Sequence, residues 1–383
     1  NYETGGNDSP LHFAVKECKE SSLNMVQYLV ENGADIYYKN VENNTALHYA
    51  AYFGSLEVVE YLTNCGANVN CKNTDDTTPL HYASQLNSLE MIKDLVERGA
   101  DVNCKSKSND TALSLALKAG SLDIVKYLVE HGAHVNYYTD GKDSPLHLAV
   151  TECKESSLSI IKYLVECGAD IHRKGVENNT ALHYAAYSGS LEVVQYLTEC
   201  GADVNCKNNN DDNPLHHAAQ LNSLEMINNL FKRGDDVNSK GKSNNTALSQ
   251  VLKAGSLDIF RYITEQGTNG SLEIDGNDSL HDLDVKNYKE SSLNMVKYLV
   301  QHGADIHCKN VENNSALHYA AYSGSLEVVK YLTECGADVN CKNNDDDLPL
   351  HSAIKNRKKS SLKIVKYLVK HGADLNIRGK HNK

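Results

Sequence analysis

No apolar run in this sequence approaches the roughly 18–20 residues that a helix needs to cross a bilayer, and no secretory signal peptide opens it. The chain is therefore expected to be soluble and not to insert into a membrane. It has no HExxH, no paired CxxC and no converging Cys/His spacing, so no metal site is expected. Gly241, Lys242 and Ser243 do not make a phosphate-binding loop, because Asp236 stands where the first glycine belongs and no strand is predicted before them. With no nucleophile, acid–base pair or cofactor motif converging, the sequence does not read as an enzyme. Positive charge is also in short supply: 38 Lys and Arg face 50 Asp and Glu, a formal net charge of −12, which argues against a general nucleic-acid binder. The balance is uneven, since residues 355–383 carry ten Lys or Arg against Asp374 alone.

What the chain has is repetition. The stretch TALHYAAYFGSLEVV from Thr45 returns as TALHYAAYSGSLEVV from Thr180 and SALHYAAYSGSLEVV from Ser315, 135 residues apart each time. Within that block a shorter unit recurs every 33 or 36 residues, with starts at 9, 45, 78, 111, 144, 180, 213, 246, 279, 315 and 348. The eleven cysteines follow this repeat instead of a framework of their own. Cys71, Cys206 and Cys341 share one slot, and Cys65, Cys200 and Cys335 another. Equivalent slots in stacked units lie about 8–10 Å apart, beyond disulfide reach, so the thiols are read as free, in a reducing, cytoplasmic setting.

Local chemistry shapes the unit. A Thr, Ser or Asn at its first position caps a helix, and all five prolines (Pro10, Pro79, Pro145, Pro214 and Pro349) take the next place, where a missing N–H costs nothing. A helix of about eight residues follows and ends at Gly54, Gly120, Gly189, Gly255 or Gly324, or at Asn87 and Asn222, which tolerate the left-handed conformation. A second helix with apolar residues at helical spacing, such as Leu191, Val194 and Leu197, stops at a glycine in every unit, from Gly33 to Gly372. An extended piece and an Asn/Asp-rich turn close it. One such unit cannot bury its own apolar face, so neighbours must stack. Tyr61, Tyr196 and Tyr331 on the second helices are expected in the core.

TPLHYA at Thr78, GSLEVVKYLTECGADVN at Gly324 and the 33-residue period resemble ankyrin repeats over nearly the whole chain. The resemblance implies an all-α solenoid of helix-turn-helix units with projecting hairpin loops, eleven units over residues 9–378, flanked by the tail of a preceding repeat at 1–8 and a C-terminal tail at 379–383. Asn1 aligns with Asn136, the tail of a unit, so the chain is expected to be cut from a longer array or to start abruptly within one. In the eighth and ninth units the pattern decays: GTNGS replaces GAHVN from Gly267, and Asp282 and Asp284 replace a histidine and a packing alanine. The weakest inter-unit contact is expected over 264–290.

The eight histidines at the fourth position of the unit (His12, His48, His81, His147, His183, His216, His318 and His351) are read as local holders of the helix start and hairpin, not as metal ligands. The resemblance places Tyr49, Tyr52, Tyr82, Tyr184, Tyr187, Tyr319 and Tyr322 at or near a concave groove, ringed by acidic turns that include Asp76, Asp211 and Asp346. It also marks Asn70, Asn103, Asn205 and Asn340, each with a leucine eight residues earlier, as candidate sites of asparaginyl hydroxylation. The function expected is a monomeric, non-catalytic scaffold or adaptor that binds other proteins through the groove and loops. The alternative is a structural or elastic spacer of a larger cytoskeletal, channel or effector protein.

Overall fold

A computed structural model describes residues 7–17, 22–138, 143–153, 157–241, 243–254, 292–355 and 361–380. The chain divides into two compact units, Asn1–Val176 and Glu177–Lys383. The first holds five antiparallel helix pairs: α1 (Pro10–Glu17) with α2 (Ser22–Glu31), α3 (Ala46–Tyr52) with α4 (Leu56–Asn64), α5 (Pro79–Gln85) with α6 (Leu89–Glu97), α7 (Ala112–Lys118) with α8 (Leu122–Glu130), and α9 (Pro145–Glu152) with α10 (Ser157–Glu166). The second holds α11 (Ala181–Ser188), α12 (Leu191–Glu199), α13 (Pro214–Gln220), α14 (Leu224–Lys232), α15 (247–254), α16 (292–301), α17 (Ala316–Ser323), α18 (Leu326–Glu334), α19 (Pro349–Lys355) and α20 (Ser361–Lys370).

Within the first unit the odd-numbered helices pack on one another in chain order, and so do the even-numbered ones. The small residues of the first helices permit this. Ala50, Ala51, Ala83, Ala116 and Ala149 are wholly buried, and a larger side chain there would push the next helix away. Each second helix buries a narrow stripe, Val58, Val59 and Leu62 in α4 and Val328, Val329 and Leu332 in α18, which seals the layer from behind. Burying side chains of this kind stabilises by roughly 1.5–3 kcal/mol each. Tyr61, Tyr196 and Tyr331 are not part of that core. They are partly exposed, because each falls between the buried positions and is turned onto the flank of its helix.

Helix ends follow the local chemistry. Gly66 sits at φ +96° and Gly189 at φ +79°, where a side chain would be strained, and Asn87 and Asn222 take the same left-handed turn at φ +58° and +56°. The second helix of the unit starting at Thr246 and the first helix of the unit starting at Ser279 lie outside the described residues, as do Asp282, Asp284 and the contact expected to be weakest at 264–290.

Candidate functional site

In five units the hairpin turn is built around one asparagine. Asn73 lies five residues before the cap Thr78, and its Oδ1 accepts the N–H groups of Asp75 and Thr77 while its own N–H meets the carbonyl of Thr77. Asn40, Asn208, Asn310 and Asn343 make the same pair of side-chain bonds. The residue at the tip must then take a left-handed backbone, and this is where Asp76 (φ 56°), Asp211 (φ 56°) and Asp346 (φ 59°) are found. Asn43 and Asn313 occupy that place in other units, so the slot is chosen first for conformation and only then for charge.

Histidine joins the turn to the helix. In His48 the Nδ1 accepts the backbone N–H of Thr45 at 3.0 Å, and Nε2–H donates at 3.2 Å to the carbonyl of Thr77, the residue just before the next unit's cap. His12, His81, His183, His216 and His318 repeat both contacts. The two partners fix the neutral Nε2–H tautomer, and both nitrogens are committed, which leaves none for a metal. Among the described residues no group of three His, Cys, Asp or Glu is placed to hold one. Burial holds His12, His81, His216 and His318 below the ordinary imidazole pKa, and it pushes His48 down to about 4.

The tyrosines separate into two sets. Tyr49, Tyr82, Tyr184 and Tyr319 are half-buried. The hydroxyls of Tyr49, Tyr82 and Tyr319 accept from Asn40, Asn73 and Asn310 at 3.1, 3.2 and 2.8 Å, so these rings brace the hairpins from within. Desolvation, with Glu312 adding to it, pushes the Tyr319 phenol up to about 12. Tyr52, Tyr187 and Tyr322 stand one position round the same helices and are 42%, 65% and 54% exposed. In the first unit Tyr52 meets Phe53 and Tyr82 edge-on at 5.1 and 5.4 Å, and Phe13 and Leu86 are exposed as well. Sequence reasoning had no claim on Phe13, Phe53, Leu86 or the turn asparagines. The signal for the turn asparagines was their constant offset, five residues before the cap, in five of the eleven units.

Asn70, Asn103, Asn205 and Asn340 all stitch neighbouring hairpins together. Asn70 donates Nδ2–H to the carbonyl of Gly99 at 2.9 Å and accepts the N–H of Asp101 at 2.8 Å, and the other three repeat this with Gly132, Gly234 and Gly372. Among the described residues ten cysteines are free, with Cys71 and Cys341 buried and Cys65, Cys200 and Cys335 exposed. Desolvation raises the Cys71 and Cys341 thiols, so these two are not activated nucleophiles.

A family model described as ankyrin repeats (3 copies) matches in overlapping blocks at 11–106, 80–175, 153–241, 182–273, 215–310 and 283–379. The chain belongs to the ankyrin-repeat family. Among solved structures, this ankyrin chain is similar to the human ASB11 ankyrin repeat domain, with 25% identity and a TM-score of 0.51 over 60% of this chain and 99% of that one. It is similar also to the ankyrin repeat domain of Bcl-3, described as a member of the IkappaB protein family, with 28% identity and a TM-score of 0.50 over 59% of this chain and 99% of that one. No curated protein sequence matches it significantly. Ankyrin repeats are in general protein–protein interaction modules. No helix among the described residues is long and apolar enough to cross a membrane.

Proposed function

We propose that this ankyrin array is a non-catalytic scaffold or adaptor that holds partner proteins against the first helices and hairpin turns. One observation carries the reading. Tyr52, Tyr187 and Tyr322 recur at one position in the three near-identical copies, well exposed, while the adjacent tyrosine in each copy is half-buried. Tyrosine offers a large, stiff contact area with a polar tip, and such residues supply much of the energy where they are desolvated by a partner. The acidic hairpin tips at Asp76, Asp211 and Asp346 add negative charge beside that face, which favours a partner with basic or hydroxyl-rich segments.

The test is affinity capture from a source-cell lysate, comparing the full chain with a Tyr52→Ala, Tyr187→Ala, Tyr322→Ala variant. Because these side chains are exposed, the variant is expected to keep its helical signal and melting temperature while losing the partner at least tenfold. Equal capture by both chains overturns the placement of the site on this face.

A further inference from the structure

In the five other described steps where this segment carries an asparagine (DVN, NVN or HVN), that residue reaches the stop glycine of the next unit in sequence. Asn70 meets Gly99, Asn103 meets Gly132 and Asn205 meets Gly234, each 29 residues on; Asn136 and Asn340 meet Gly168 and Gly372, each 32 residues on, in units with three extra residues. Asn238 does something else. It donates to the carbonyl of Gly303 at 3.0 Å, 65 residues on, and its Oδ1 accepts the N–H of Asp305 at 2.8 Å. The excess over 29 is 36 residues, the length of one longer unit.

Contacts in all three layers of the stack show the same offset. On the second-helix layer, Tyr298 of α16 donates its hydroxyl to Asn228 of α14 at 2.7 Å, and Phe231 stacks on Tyr298 and His302 at 5.9 and 5.7 Å. At the hairpins, Val311 N–H reaches the carbonyl of Ser243, the bond that Thr74 makes with Glu42 and Asn344 with Glu312. On the first-helix layer, the Lys253 ammonium of α15 lies 5.3 Å from the Tyr319 ring centre, as Lys16 of α1 lies 5.4 Å from Tyr49. Lys253 and Lys16 hold the same position in their helices, seven residues after the cap.

We infer that α15, from the eighth sequence unit, and α16, from the ninth, close a single composite ankyrin repeat, so that the second unit of the chain stacks one tier fewer than its sequence spells. The apolar residues that such a tier needs are in place: Val251 and Leu252 from one side and Met295, Val296 and Leu299 from the other are all buried. The sequence is ready for it too. Joining Gly255 to Ser292 writes TALSQVLKAGSLNMVKYLVQHG, which differs from the intact repeat at Thr111 to Gly132 only at Gln250, Val251, Asn294, Met295 and Gln301. The composite tier restores the lysine–tyrosine contact beneath the third copy of the exposed tyrosine face, so that copy keeps the support that the first has.

Cysteine trapping in the full chain decides it. Asn228→Cys with Tyr298→Cys, bridged by a bismaleimide with a span of about 8–10 Å, the spacing of neighbouring helices, and digested, is expected to give a linked peptide joining residues 228 and 298 by mass spectrometry, identified against the native cysteines by its mass. Tyr262 is the residue that sequential stacking would set against Asn228, so a link in Asn228→Cys with Tyr262→Cys and none to residue 298 overturns the inference. Thr198→Cys with Asn229→Cys, whose native side chains lie 3.2 Å apart, is the positive control for an ordinary step. A second readout is independent of trapping. Deleting 256–291 is expected to leave the distance between labels at residues 205 and 340 unchanged, whereas a shortening by about 10 Å, one helix spacing, would show that a full tier had been removed.

Discussion

At the residue scale, buried polar side chains mostly have fixed partners, and the carboxylate Oδ2 of Asp235 is one atom that does not. It stands where Ala100, Ala133 and Ala202 fill a buried slot in other units. Its Oδ1 accepts from Asn213 at 2.8 Å, but its Oδ2 is buried with no hydrogen-bond partner. Desolvation first, and then the neighbouring charges of Asp236 and Asp203, push its pKa up to about 8. The sign follows from linkage: below the unfolded value near 4 both states are protonated and the residue costs nothing. As pH rises towards 8 the unfolded chain ionises and the folded one does not, so a penalty grows until it levels above that pH. Asp235→Ala is therefore expected to raise stability at pH 8 by roughly 1–3 kcal/mol and to change it little at pH 4. Urea midpoints for the two chains at both pH values check this, and an equal difference at the two would show that packing, not charge, is responsible.

At the element scale, the helices were legible and the turns were not. Threonine caps, a proline at the first helical position, alanines on one face and a glycine at each stop are local signals, and local signals set helix ends. What the sequence hid was the division of labour among tyrosines and asparagines, because both residue types look alike whether they brace a hairpin or face solvent. The expected core placement of Tyr61 failed for a related reason: the helical period locates a stripe but not the width that the neighbouring helix leaves uncovered. Asn73 shows how much a single turn residue holds. Besides its two backbone acceptances, it donates to Asn44 at 3.0 Å and to the hydroxyl of Tyr82 at 3.2 Å, which ties two hairpins and one helix together. Asn73→Ala leaves the N–H groups of Asp75 and Thr77 without that acceptor, and a cost of roughly 2–4 kcal/mol is expected, against under 1 kcal/mol for Asn64→Ala on the exposed end of α4. Thermal unfolding of both variants measures the gap, and equal losses would remove the turn from the account of stability.

At the scale of the whole molecule, repetition turns one local bond into a property of the array. The tier count is where the composite repeat inferred above departs from the eleven starts, since a regular count of starts cannot see two half-units joining. Histidine shows the same amplification in chemistry. His12, His48 and His81 in the first unit, and His216 and His318 in the second, must each stay neutral to accept the cap N–H at Nδ1, and all five have their pKa held down by burial. Above about 6.5 they are neutral whether folded or unfolded, and their contribution is fully present. As pH falls below that value the unfolded chain takes up protons that the folded chain refuses, and for His48 the loss continues to about 4. Each depressed histidine removes at most about 1.4 kcal/mol per pH unit within its window, so several acting together weaken the fold well before most carboxylates titrate. Asp235 works in the opposite direction over the same range, which makes Asp235→Ala the cleaner background for the measurement. In that variant the urea midpoint is expected to fall steadily from pH 7 to pH 5, and replacing His48 by Ser, the residue that Ser114 supplies in the fourth unit, should make the fall shallower. Ser114 keeps the cap bond to Thr111 N–H at 3.0 Å without a titratable ring. A midpoint flat between pH 7 and pH 5 would mean that the histidine ladder carries no acid sensitivity, and that its recurrence serves geometry alone.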